Sequence, residues 1–172
     1  MAKEFNKVSL QKKAIKEAWK KVSREFLWTE SLLEKYQDKV DWYEVSSNWQ
    51  MVWTIPIVQK FKERIDWHAL SGHIHITETF LELFKDELDW SELSCSINLR
   101  EELSDELLEK YADKWDWEMI INHWDINLFN KKGEEFYTKF KNHIPVSKLY
   151  KSRLWDVIID QQKKQLIEEI TA

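Results

Sequence analysis

The sequence predicts an all-α fold, an α-solenoid of about five short two-helix repeats closed by a capping helix at each end. Three observations carry this. The pair Asp-Trp recurs at Asp41-Trp42, Asp66-Trp67, Asp89-Trp90 and Asp116-Trp117, and a Ser or Thr (Thr29, Thr54, Thr77, Ser104) stands 13 residues before each Trp. Spacing inside the unit is constant, while the links from each Trp to the next Ser or Thr run to 12, 10 and 14 residues, the mark of a repeat array. Apolar residues fall 3, 4, 7 and 11 positions after each Ser or Thr, which is one face of a 3.6-residue helix. Only two glycines and two prolines occur in 172 residues, too few for a sheet-rich fold with many tight turns.

The elements follow in order. Residues 1–27 form an N-terminal capping helix with Val8, Ile15, Ala18, Trp19, Val22 and Phe26 on its apolar side. Residues 28–146 hold the repeats. In each, the Ser or Thr is an N-cap, its hydroxyl accepting from the free N–H groups of the first turn. An acid follows in three copies (Glu30, Glu78, Asp105), where the helix dipole favours it. The residue before the cap (Trp28, Trp53, Ile76, Leu103) and the N4 residue (Leu33, Val58, Leu81, Leu108) are always apolar, as a hydrophobic staple requires. Pro56 falls in a first turn, where its missing N–H does no harm.

The Asp of each Asp-Trp caps a second, shorter helix, with Glu44 and Glu92 placed to complete capping boxes. The Trp and the residue three after it (Val45, Leu70, Leu93, Ile120) form that helix's apolar side. Seven residues after each Trp stands another apolar side chain (Trp49, Ile74, Ile97, Trp124), expected to close the turn toward the next unit. A fifth unit keeps the spacing with Phe136, Tyr137, Phe140 and Ile144, but Gly133 replaces the cap and Pro145-Val146 replaces Asp-Trp. Terminal repeats are commonly atypical. Residues 147–172 read as one long or broken C-terminal helix, and 1–172 as a single helical-repeat domain.

Packing accounts for nine of the 11 tryptophans; Trp19 and Trp155 fall outside the repeat pattern. A single cysteine, Cys95, excludes an internal disulfide and points to a reducing compartment. The chain shows no secretory leader pattern and no apolar run of membrane-spanning length, so the expected location is cytoplasmic, without a membrane partner. Charge is uneven: net +5 over residues 1–27, −13 over 28–129 and +3 over 130–172.

Chemistry-bearing motifs are absent. His68, His73, His75, His123 and His143 lack metal-ligand spacing; His73 and His123 occupy the slot held by Asn48 and Ser96 in other copies, a polar turn position. Ser46, Ser71 and Ser94 recur four residues after the Trp and read as last-turn serines bonding back to a carbonyl rather than as nucleophiles. No glycine-rich phosphate loop exists. The expectation is a protein that is not an enzyme and uses no cofactor or metal. Direct nucleic-acid binding is disfavoured by the acidic middle.

The unit Leu32-Leu33-Glu34-Lys35-Tyr36 followed by Asp38-Lys39-Val40-Asp41-Trp42 and Val45-Ser46, echoed over residues 107–117, resembles a short tryptophan-containing helical repeat of uncharacterised proteins of bacteria, phages and large viruses. The resemblance covers about residues 28–129. It implies a helical array and brings no catalytic residues. Within such an array the second-helix positions that differ between copies are candidates for partner binding: Tyr43, Glu44, Ser47, His68, Ser91, Glu92, Glu118 and Asn122. A surface that varies over a fixed frame suits a protein-interaction module whose partner is another protein. The alternative reading is a small acidic inhibitor from a phage or mobile element, blocking a basic groove of a host nucleic-acid-binding or defence enzyme.

Overall fold

The computed structural model describes residues 7–96, 104–123 and 133–172. Among them are twelve helices and no strand. They are α1 (Lys7–Glu25), α2 (Glu30–Tyr36), α3 (Trp42–Ser46), α4 (Ile55–Phe61), α5 (Trp67–Ser71), α6 (Glu78–Phe84), α7 (Trp90–Cys95), α8 (Asp105–Lys110), α9 (Trp117–Ile121), α10 (Gly133–Phe140), α11 (Val146–Leu149) and α12 (Arg153–Thr171). The chain divides into two compact units, Met1–Ile74 and His75–Ala172.

Caps set the helix starts. Thr29, Thr77 and Ser104 accept the N–H groups of Leu32, Phe80 and Leu107. Asp41, Asp66, Asp89 and Asp116 accept those of Glu44, Ala69, Glu92 and Met119. Thr54 is the exception: it makes no side-chain cap bond, and its helix carries Pro56 in the first turn. Of the residues expected to precede the first-helix caps, Trp28 and Ile76 are buried and Trp53 is half-buried; Leu103 lies outside the described residues.

In the first unit, the core is made by Leu33, Val40, Val45, Val58, Phe61, Ile65 and Leu70, all buried. Four contacts tie one helix pair to the next. The Trp42 ring packs on Phe61 at 5.3 Å between centroids, while its indole N–H donates back to the Gln37 carbonyl at 2.9 Å, satisfying an orphan acceptor at the end of α2. The Ser46 hydroxyl, fully buried, accepts the N–H of Asp66 at 3.0 Å. His73 Nε2 donates to the Ser46 carbonyl at 2.6 Å. Lys60 bridges Glu30 and Glu34 at 2.9 and 3.0 Å.

The last two turns of α1 enter the same scheme. Trp19 packs on Tyr36, Ser23 accepts the N–H of Asp41, and Asn48 donates to the Ser23 and Phe26 carbonyls. Trp19, outside the pattern by sequence, therefore occupies the repeat's tryptophan position, with Val22 and Ser23 three and four residues on. The rest of α1 departs from expectation. Val8 and Ile15 are exposed, as are Val22 and Phe26 near its end, so the helix packs through Trp19, Ser23 and Arg24 rather than along the expected apolar face.

The second unit repeats these contacts. Trp90 packs on Tyr111 and Trp115, and Trp117 on Phe140. Their indole N–H groups reach the carbonyls of Lys85 and Ala112. Ser94 accepts the N–H of Asp116 and donates to the Trp90 carbonyl. Lys110 bridges Glu78 and Glu82, and Lys139 bridges Asp105 and Glu109. These exposed pairs fix register more than stability. At Gly133 a Cβ would stand 3.1–3.2 Å from Gln161, Ile158 and Val157, so α12 closes on the position where other copies carry Ser or Thr. The C-terminal segment is broken: α11 ends at Leu149, and Ser152 caps α12 by accepting the Trp155 N–H.

No helix among the described residues is long and apolar enough to cross a membrane. Replacing Ser46 with Ala strands the half-buried Asp66 N–H. We expect Ser46→Ala to cost about 1–3 kcal/mol in urea denaturation, against less than about 0.5 kcal/mol for the exposed Thr79→Ala. Equal effects would remove the serine from its structural role.

Candidate functional site

Trp49 is 80% exposed, although the same count from the repeat Trp makes Ile74 buried. The cause is a two-residue difference in link length: 12 residues from Trp42 to Thr54, against 10 from Trp67 to Thr77. Counted back from the following cap, Ile74 matches Met51, and both are buried. Asn48 holds the turn, its side-chain oxygen accepting the Gln50 N–H and its backbone carbonyl the Met51 N–H. Met51 fills the core slot and the longer link places Trp49 in solvent. The expectation that Trp49 closes the turn is corrected; Ile97 and Trp124 lie outside the described residues.

Trp49 borders a surface groove of about 430 Å³ with Arg24 and Glu25 at the end of α1, Tyr43, Glu44 and Ser47 from α3 and its cap, and Gln50. Tyr43 is 53% exposed. Glu44, expected as a free surface position, is only 4% exposed. Arg24 grips it with two bonds, Nε at 2.6 Å and Nη2 at 2.9 Å, and Lys20 approaches at 3.4 Å. The correction has a geometric reason: α3 is short and packs on α1, so its third residue faces the neighbouring helix. The Arg24 hydrogen bond holds the Glu44 carboxyl below its ordinary range against the opposing effect of burial, and the pairing raises Arg24. Ser47 donates to the Glu44 carbonyl.

The other candidate positions are dispersed. His68 is exposed on α5. Ser91 donates to Asp116 Oδ2 at 3.1 Å, binding one second helix to the cap of the next. Glu92 is half-buried, its N–H held by Asp89. Glu118 pairs with Lys148 at 2.8 Å, and Asn122 donates to the Glu118 carbonyl; both border a polar groove of about 380 Å³ with Ser147, Lys148 and Lys151. The structure thus brings together Tyr43, Glu44 and Ser47 in one unit, and Glu118 and Asn122 in the other. Sequence reasoning missed Arg24 and Trp49 as groove residues. The longer link was the available signal for Trp49; nothing marked Arg24 among the other cations of α1.

Polar groups suited to chemistry are engaged in packing. His73 and His123 donate to the Ser46 and Ser96 carbonyls, and among the described residues no three His, Cys, Asp or Glu side chains converge as a metal site. Partial burial, then the charge of Glu92, pushes the Cys95 thiol up, away from the thiolate a nucleophile requires.

Because the Glu44 pKa is lowered on folding, its contribution to stability is present above the ordinary carboxylate range and is lost as pH falls through the depressed value. Glu44→Gln should cost about 1 kcal/mol at neutral pH, at the low end because Arg24 is half exposed. The variant should also lose less stability than the wild type on acidification below about pH 4.5. Tryptophan-fluorescence unfolding across pH reads both; parallel profiles would remove Glu44 as the linked group. Comparison with protein-family models, with curated proteins and with solved structures finds no match for the chain.

Proposed function

We propose that the two-helix units stack as an α-solenoid and that the chain is a non-catalytic protein-interaction module, docking its partner at the groove beside Trp49. The observation that carries this is the exposure of Trp49, with Tyr43 half-exposed beside it and Arg24 at the groove wall. Tryptophan, tyrosine and arginine dominate binding hot spots, because they offer large contact area together with a polar or charged handle. An indole left in water by the longer link contributes nothing to the core, so packing does not explain its presence.

The regular contacts support the frame. Trp42, Trp90 and Trp117 each contact an aromatic residue of the following helix pair, Phe61, Tyr111 and Phe140. The serines and histidines engaged in backbone bonds support a binding rather than a catalytic role. The acids at the first-helix starts have lysine partners in the neighbouring helix pair, which accounts for their recurrence without a basic partner and weighs against the acidic-inhibitor reading.

Affinity capture with the wild type and Trp49→Ala tests the proposal. We expect Trp49→Ala to keep its helical circular-dichroism spectrum and its urea midpoint, since the side chain is solvated, and to lose at least about 2 kcal/mol of affinity for the captured partner. A partner retained equally by Trp49→Ala and Tyr43→Ala would overturn the site. A basic nucleic-acid enzyme held without regard to either residue would favour the acidic inhibitor.

A further inference from the structure

Cations gather on the α1 side of the Trp49 groove, whose own lining holds one cation, Arg24, and two carboxylates, Glu25 and Glu44. Arg24 and Lys20 both converge on Glu44, two cations on one buried carboxylate. Arg24 commits Nε and Nη2 to Glu44, which leaves Nη1 as the donor not used by that pair. Glu25 also lines the groove, and Lys21 lies 3.9 Å from its carboxylate. Along α1, Lys13, Lys16, Lys20 and Arg24 fall at i, i+3, i+7 and i+11, one face of the helix, with Glu17 at its border. Lys13 and Lys16 are exposed, since α1 packs only through its C-terminal end. A cationic stripe therefore leads to a groove walled by Trp49 and Tyr43.

We propose that the occupant of this groove is an acidic segment of another protein carrying one aromatic or long aliphatic anchor, an inference that rests on the docking site above. The anchor lies against the Trp49 indole, where apolar contact supplies affinity. The acidic residues run along the α1 stripe, where complementary charge supplies orientation and a faster encounter. The stripe's cations and the exposed indole are needed together, which separates this occupant from a polyanion that needs only the cations. The net −13 of residues 28–129 makes a second copy of this chain the competing acidic occupant.

Panning a displayed library of short random peptides on the full-length protein tests this without knowledge of the natural partner. Trp49→Ala and the double variant Lys13→Glu/Lys16→Glu serve as counter-selections. Enriched peptides should be net acidic with an aromatic or leucine residue. Measured by fluorescence anisotropy, their affinity should fall about tenfold or more in each variant, and also as salt rises from about 50 to about 500 mM. Neutral or basic peptides lost in Trp49→Ala but indifferent to Lys13→Glu/Lys16→Glu would overturn the acidic occupant and leave the docking groove standing. No Trp49-dependent peptide would overturn both. Binding of single-stranded RNA or phosphatidylglycerol vesicles that survives Trp49→Ala would assign the stripe to a polyanion instead. Self-association lost in both variants would assign the groove to a second copy.

Discussion

A buried serine hydroxyl sets the step from one helix pair to the next. Ser23, Ser46 and Ser94 are fully buried, and each accepts the backbone N–H of the Asp that caps the following second helix. That N–H precedes the helix and has no partner within it. A buried donor without an acceptor costs about 1–3 kcal/mol, so the hydroxyl and the cap must stay in register. The fourth copy supports this account by breaking it. Ile121 replaces the serine there, and the corresponding cap position of the next unit is Pro145, which has no N–H to satisfy. The acceptor is missing where the donor is missing, and Ile121 is buried like the serines it replaces.

The tryptophan joins the same step from the other side. Its ring covers the aromatic residue seven positions after the next cap, while its N–H returns to a carbonyl at the end of its own first helix. Trp42, Trp90 and Trp117 share both bonds. Five- to seven-residue helices gain little from propagation alone, so tertiary bonds of this kind must supply what length cannot. Phenylalanine would keep most of the buried area and lose the carbonyl bond, a physical reason for tryptophan in four consecutive copies.

The helix pairs, the repeat caps other than Thr54 and the apolar faces of the repeat helices were legible in the sequence because each depends on spacing inside a unit. The serine's bond back to the carbonyl four residues earlier was legible too, and Ser71 and Ser94 make it. What lay hidden depends on a neighbouring unit. Glu44 looks like a capping-box acid, but its carboxylate is held by Arg24, 20 residues away in sequence. Trp19 lacks the Asp before it, so only its contacts with Tyr36 and the position of Ser23 reveal its register. Trp49 was misassigned because counting forward from a tryptophan fails when a link changes length; counting back from the next cap places Met51 in the core.

That last error shows where such a chain can acquire function. Inside a unit the cap, core and stepping positions are fixed, and substitution at those positions is costly. Two links deliver a buried apolar residue to the slot three before the next cap, Met51 and Ile74, and they do so at different lengths, 12 and 10 residues from Trp to cap. The two added residues between α3 and α4 leave the core contact with Met51 and place an indole in water beside a cationic helix end. Side chains can therefore be added at the links without altering the repeating bonds. For that reason the groove lies at the longer of the first two links rather than on the face of the most regular helices.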